Sequence, residues 1–183
     1  MNKDQDEIGQ PNTAEEFEAL HQILRTDPQR YLRIVNRWIV QNPNDAGAYF
    51  SRHSAWMKIG EPRRALDDLN KTIELDRQPD AMSFMARGEV YRHLGEHEKA
   101  LADLNRAEAI DPREWQEDTV FGLLYQADSH ARLGNEAAAL NCCARLPDDF
   151  WTPGINGAPG GDKTEVAEKL RSIAAAARRK LGR

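Results

Sequence analysis

The feature that most constrains this chain is a repeated string. Gly60-Glu61-Pro62-Arg63-Arg64-Ala65-Leu66-Asp67-Asp68-Leu69-Asn70 returns 35 residues later as Gly95-Glu96-His97-Glu98-Lys99-Ala100-Leu101-Ala102-Asp103-Leu104-Asn105. Gly, Glu, Ala, Leu, Asp, Leu and Asn recur in register. A third copy opens at Gly134-Asn135-Glu136 and keeps Ala139 and Leu140, but lies 39 residues on. The extra residues fall around Pro112-Arg113-Glu114-Trp115-Gln116, which predicts a longer connection or an extended helix start. A fixed period of this length signals one supersecondary unit stacked on copies of itself.

Each copy reads as two helices around its glycine. Before it, Tyr49, His53 and Trp56 match Phe84, Gly88 and Tyr91 at helical spacing. After it, Leu66, Leu69 and Ile73 match Leu101, Leu104 and Ala107 on one face. Gly60, Gly95 and Gly134 stand where the first helix must stop, because glycine accepts the left-handed conformation that ends helices. Pro62 suits the opening turn of the next helix, where no amide hydrogen is missed. No run of alternating apolar and polar residues suggests a sheet.

The flanks follow the same logic. Residues 14–25 and 28–42 form another helix pair, with Asp27-Pro28 as cap and first-turn proline and Leu32, Val35, Trp38 and Ile39 as the apolar stripe. Residues 147–162 hold three prolines and four glycines, too many breakers for a helix. A last helix runs from about Lys163 to Leu181, opened by Asp162 with Glu165 three places on, a capping-box pattern. Its apolar residues include Val166, Leu170, Ile173, Ala174 and Ala177.

These residues resemble the tetratricopeptide repeat, whose period is about 34 residues. Phe84, Gly88, Tyr91, Gly95, Ala100, Leu104, Ala107 and Pro112 follow its pattern closely. The first unit follows it through Tyr49, Trp56, Gly60, Ala65 and Leu69, with His53 at a usually small site and Arg77 where proline is usual. The third follows it through Leu123, Ala127, Gly134 and Ala139, then departs at Cys143 and Leu146. The resemblance implies an all-α fold, a right-handed α-solenoid of tetratricopeptide-like helix hairpins with a C-terminal capping helix. The expected organisation is a disordered acidic tail over 1–12, a degenerate helix pair over 13–45 and three repeats over 46–146. A Gly/Pro-rich loop over 147–162 and a capping helix over 163–183 follow.

The family likeness also implies a function: a protein–protein interaction module, scaffold or adaptor, that binds a peptide or protein segment in the concave groove. The first helix of each pair lines that groove, which assigns Phe50, Ser54, Met57 and Lys58, then Met82, Met85, Glu89, Arg92 and His93. The third copy contributes Phe121, Leu124, Asp128 and Arg132. Three of the four methionines fall on this surface, where flexible thioethers suit an adaptable contact. The competing expectation is that these side chains pack under the last helix or the 147–162 segment. The family's carboxylate clamp for chaperone tails is not reproduced, since its positions hold Phe50, Ser54, Ser51, Phe121 and Tyr125. An amphipathic helix or an extended apolar segment is the better expected ligand.

Charge supplies an alternative. The net charge is −5, which is not the footprint of a nucleic-acid binder. Residues 1–18 nevertheless carry one Lys against six Asp/Glu, and residues 163–183 carry seven Lys/Arg against two Glu. Opposite ends of this kind predict either a solvated tail and a dipole-matched helix, or salt-sensitive head-to-tail association of a structural protein.

Chemistry finds little footing. Gly157-Ala158-Pro159-Gly160-Gly161-Asp162-Lys163-Thr164 is one residue away from the phosphate-cradling G-x-x-x-x-G-K-[ST] string. Asp162 stands where the last glycine belongs, and no strand precedes it, so a helix cap is expected and a nucleotide-binding enzyme is a distant third reading. His93 and His97 flank a helix break at Gly95, while His53 and His130 lie on packing helices. Cys142 and Cys143 are adjacent and read as small packing residues. Asp67 and Asp68 read as a solvent-facing pair, and Asp148 and Asp149 as a loop pair; neither has a neighbouring base. Neither catalytic residues nor a metal or cofactor are expected. An acidic start, the absence of a membrane-length apolar run and two adjacent cysteines point to the reducing cytoplasm. Phe150 and Trp151 are expected to anchor the irregular segment onto the last repeat.

Overall fold

The computed structural model describes residues 8–110, 120–154 and 157–182. Asp111-Pro112 and the Trp115 connection, where an extended helix start is expected, lie outside the described residues, as do residues 1–7 of the acidic tail. The chain forms two compact units, Met1–Pro79 and Asp80–Arg183.

The first unit holds α1 (Ala14–Thr26), α2 (Pro28–Gln41), α3 (Ala46–Lys58) and α4 (Pro62–Leu75). Thr13 caps α1 in a capping box with Glu16, and Asp27 caps α2 by accepting from the Arg30 amide. One cluster of buried residues, including Leu20, Leu32, Ile34, Val35 and Trp38, joins α1, α2 and α3. Ile8 packs on this cluster, and Trp38 Nε1 donates to its carbonyl at 2.8 Å. The Gln10 side chain also donates to Asp45. The end of the stretch expected as a tail is therefore held against the first unit, because a buried indole N–H requires an acceptor.

The second unit holds α5 (Ala81–His93), α6 (His97–Ile110), α7 (Val120–Arg132), α8 (Glu136–Ala144) and α9 (Lys163–Lys180). In both units the opening helix of a hairpin packs on both helices of the hairpin before it. Thus α3 lies on α1 and α2, α7 on α5 and α6, and α9 on α7 and α8. Helix α9 accordingly takes the place of the opening helix of a further hairpin, burying Val166, Leu170 and Ala174.

The glycine register is realised in the backbone. Gly60, Gly95 and Gly134 adopt φ of 78°, 77° and 78°, each closing the first helix of a hairpin. Gly88 serves a different need: a Cβ there would stand 2.9 Å from Leu104 Cγ and 3.2 Å from the Ala100 carbonyl oxygen. The matching sites carry His53 and Ala127, so the α3–α4 and α7–α8 hairpins accommodate a side chain at that position.

Two sequence expectations need correction. Asp68 does not face solvent: it is 3 % exposed, while Asp67 is exposed. Within the 147–162 segment, Trp151–Thr152 pairs antiparallel with Gly161–Asp162 in a two-residue ladder, too short to leave an alternating pattern in sequence. Phe150 and Thr152 are buried while Trp151 is 67 % exposed, so of the two aromatic residues Phe150 is the one that is tucked in.

Candidate partner-binding surface

The groove positions expected from sequence fall on three helices in two units. On α3, Phe50, Ser54 and Met57 share one face and are half-buried. The Phe50 ring tilts against His53 at a centroid distance of 4.8 Å, and Ser54 Oγ lies 3.4 Å from His53 Nε2. His53 Nδ1 meets the Phe50 carbonyl. Burial, partly offset by that carbonyl, holds the imidazole below the ordinary histidine range.

In the second unit, Asp80 caps α5 by accepting from the Ser83 amide at 2.8 Å. From that end the helix presents Met82, 44 % exposed, then the half-buried Met85 and Glu89. On α7, which packs against α5, Phe121 is 37 % exposed at the corresponding first turn. Two large apolar side chains thus stand in water at the starts of neighbouring helices.

Towards the other ends of α5 and α7 the expected groove residues meet each other. Arg92 Nη1 donates to Asp128 Oδ2 at 2.9 Å, and Arg132 Nε donates to both Asp128 oxygens at 3.0 Å. The Arg92 guanidinium also lies over the Tyr125 ring, 4.7 Å from its centroid. Arg92 and Asp128 are buried, with the Asp128 side chain fully so. Arg132 Nη2 donates to the Gly157 carbonyl at 3.0 Å, which ties the Gly/Pro-rich segment to the end of α7. Asp128 and Leu124 therefore lie beneath the surface; Asp128 acts as the counter-ion that orients two arginines.

Sequence reading missed a second set of ion pairs. Arg52 forks onto Asp68 at 2.8 and 2.5 Å across α3–α4. Arg87 forks onto Asp103 at 2.7 and 2.9 Å across α5–α6. Both are 16 residues apart and 35 residues from each other, so the signal was present in the same register as the glycines. The third hairpin has Gln126 at the arginine site, and its amide donates instead to Asn105 and Glu108 of α6.

The phosphate-like string is used otherwise. Asp162 accepts from the amides of Thr164 and Glu165 at 2.8 and 2.9 Å, occupying the donors a phosphate would need. Lys163 Nζ is turned onto the Leu146 carbonyl at 2.7 Å and Asp148 at 3.0 Å. His93 ends α5 and His97 opens α6, and no trio of metal-ligating side chains converges among the described residues. Cys142 and Cys143 are buried free thiols, and burial pushes both up from the ordinary thiol range. Among the described residues no helix is long and apolar enough to cross a membrane.

No family model and no curated protein matches the sequence. Solved structures do match in fold. The crystal structure of MamA superposes with a TM-score of 0.62 at 17 % identity, over 94 % of this chain and 99 % of that one. YrrB, a TPR protein with an unusual peptide-binding site, gives 0.61 at 17 % identity over 90 % and 84 %. TTC0263, a thermophilic TPR protein of Thermus thermophilus, gives 0.57 at 23 % identity over 87 % and 80 %. The likeness spans most of each chain, and the shared fold is all-α, built from tetratricopeptide helix hairpins.

Proposed function

Starting from that tetratricopeptide fold, we propose that this protein is a protein-interaction module that holds a polypeptide segment on the exposed faces of its hairpin-opening helices. The observation that carries the reading is the pair Met82 and Phe121, exposed at the first turns of α5 and α7, with Met85 beside them on α5. Exposed apolar side chains that cluster are either covered or used. Methionine flexibility lets such a surface fit more than one segment. On α3, Phe50, Ser54 and Met57 supply a comparable face in the first unit. Glu89 and Arg132 add charge at the edge of the second, and Arg92 and Asp128 hold α5 against α7 beneath it. The ligand that suits this surface is an amphipathic helix or an extended apolar segment. The peptide-binding site named for YrrB supports a similar use here. Two buried free thiols agree with work in a reducing compartment.

The test is a paired variant, Met85→Glu with Phe121→Glu. It leaves the helical circular dichroism unchanged and abolishes retention of the polypeptide that the wild-type chain captures and that mass spectrometry identifies. Undiminished retention of the same polypeptide overturns this placement.

A second reading, self-association, is favoured by one observation: the exposed acidic residues Glu15 and Glu18 of α1 are opposite in sign to the basic end of α9, with Arg178, Arg179 and Lys180 in its last turn.

A further inference from the structure

Sulfur is unevenly exposed on this chain. Of the methionines among the described residues, Met57 and Met85 are half-buried, while Met82 stands 44 % exposed at the first turn of α5. The thiols that an oxidant ordinarily reaches first are shut away: Cys142 is 8 % exposed and Cys143 2 %. Burial holds both above the ordinary thiol range, so neither offers the thiolate that reduces a peroxide. Cys143 Sγ is also occupied as a donor to the Lys163 carbonyl at 3.5 Å. A thioether reacts from its neutral form, so solvent access governs it. The most accessible sulfur of the described residues therefore lies on the proposed partner-binding surface.

Its position gives that chemistry a consequence. Met82 follows the Asp80 cap by two residues, and its side chain stands in water with Phe121 rather than in the core. An oxygen added there meets solvent, so the buried Ala81, Ser83 and Phe84 that flank it in sequence keep their packing. The surface changes instead. A sulfoxide is a strong acceptor, and neither Phe121 nor Met85 has a side-chain donor to satisfy it. An apolar segment laid over the pair would bury that oxygen unpaired.

We propose that Met82 is a reversible oxidation site, through which hydrogen peroxide switches off polypeptide binding by the α5–α7 face. The inference rests on the interaction-module reading. In the step, a lone pair of Met82 Sδ attacks one peroxide oxygen, the S–O bond forms and the O–O bond breaks. The departing hydroxide takes the proton of the transferred hydroxyl, leaving methionine sulfoxide and one water; sulfur is oxidised and peroxide reduced. Methionine sulfoxide reductase reverses the change with two thiols, which leave as a disulfide while the oxygen leaves as water.

The experiment treats the full wild-type chain with hydrogen peroxide for increasing times and removes the excess with catalase. Peptide mass spectrometry reads oxygen uptake at each methionine, and thiol titration reads Cys142 and Cys143. Retention is measured for the polypeptide that the untreated chain captures. Met82 takes up oxygen before Met57 and Met85, with both thiols and the helical circular dichroism unchanged. Retention falls about tenfold or more in step with sulfoxide at Met82, the order expected for one polar group buried unpaired, and the reductase restores it. Met82→Leu, compared with its own untreated sample, keeps its retention over the same exposure. Oxidation of Met57, Met85 or a thiol ahead of Met82 overturns the proposal. So does a peroxide-driven loss in Met82→Leu equal to that of the wild type, or a wild-type loss that the reductase leaves in place. An untreated chain that retains no polypeptide defeats the interaction reading, and the switch falls with it. Retention that persists with Met82 fully oxidised defeats the switch alone.

Discussion

The guanidinium of Arg87 forks across the α5–α6 hairpin onto Asp103, with Nε to Oδ2 at 2.7 Å and Nη2 to Oδ1 at 2.9 Å. Arg52 and Asp68 make the same fork one period earlier in the first unit. Both carboxylates are nearly buried, with Asp103 side-chain exposure at 9 % and Arg87 at 19 %. Two-point geometry with partial desolvation distinguishes these pairs from the surface pair Lys71–Glu74, which rests on one contact. A double-mutant cycle with Arg87→Ala and Asp103→Ala, read by urea denaturation, should give a coupling energy of about 1–3 kcal/mol. A coupling near zero would reduce the fork to a surface contact.

Gly88 sets the spacing of the same hairpin. In an open helix, Gly→Ala stabilises by about 1 kcal/mol through propensity. Here the added methyl meets Leu104 and the Ala100 carbonyl at 2.9 and 3.2 Å. Overpacking of this kind costs about 1–3 kcal/mol. Gly88→Ala should therefore lower the urea midpoint, and Gly88→Val should lower it further. A raised midpoint for Gly88→Ala would show that α6 gives way without strain.

Asp128 carries two arginines. Removing it as Asp128→Ala breaks the buried Arg92–Asp128 pair, a loss of about 3–5 kcal/mol. It also frees Arg132, so hydrogen exchange at the backbone around Gly157 should accelerate. Unchanged exchange there would mean that the Gly/Pro segment is held without Arg132.

Acid should weaken the fold through its histidines. Burial is the first cause that holds His53, His93, His97 and His130 below the ordinary value of 6.5. Below that value the unfolded chain binds protons that the folded chain refuses. Stability is thus complete above about pH 7 and falls as pH drops through the window under about 6.5. The slope is at most about 1.4 kcal/mol per pH unit for each histidine. Unfolding in urea at about pH 7.5 and about pH 5.5, one on each side of that window, measures it, and His53→Gln should flatten the difference. Equal differences for both proteins would remove His53 from the account.

Much of the fold was legible because its punctuation is local. Gly60, Gly95 and Gly134 need a left-handed backbone, Asp27 and Asp162 need free amides to cap, and each demand is written in a few adjacent residues. The buried ion pairs and the proposed binding surface were less legible. Asp68 and Asp128 look like ordinary surface carboxylates in sequence, and only the facing helix reveals Arg52 and Arg92 as their partners. The Asp68 partner was recoverable, since Arg52 and Arg87 keep the glycine period. The Asp128 network was not, because it spans the longer third interval and recruits Gly157 from the irregular segment. Met82 and Phe121 were expected as groove positions from the family resemblance, while their exposure depends on what packs beside α5 and α7.

The most direct measurement of the central claim places a photo-reactive side chain, one position at a time, at Met82, Met85 and Phe121, and at the exposed control positions Ala102 and Asn141. After irradiation with the captured polypeptide, mass spectrometry should locate adducts from the first three positions and none from the controls. Adducts from the controls alone, or equally from all five, would contradict the assignment of the binding face to α5 and α7.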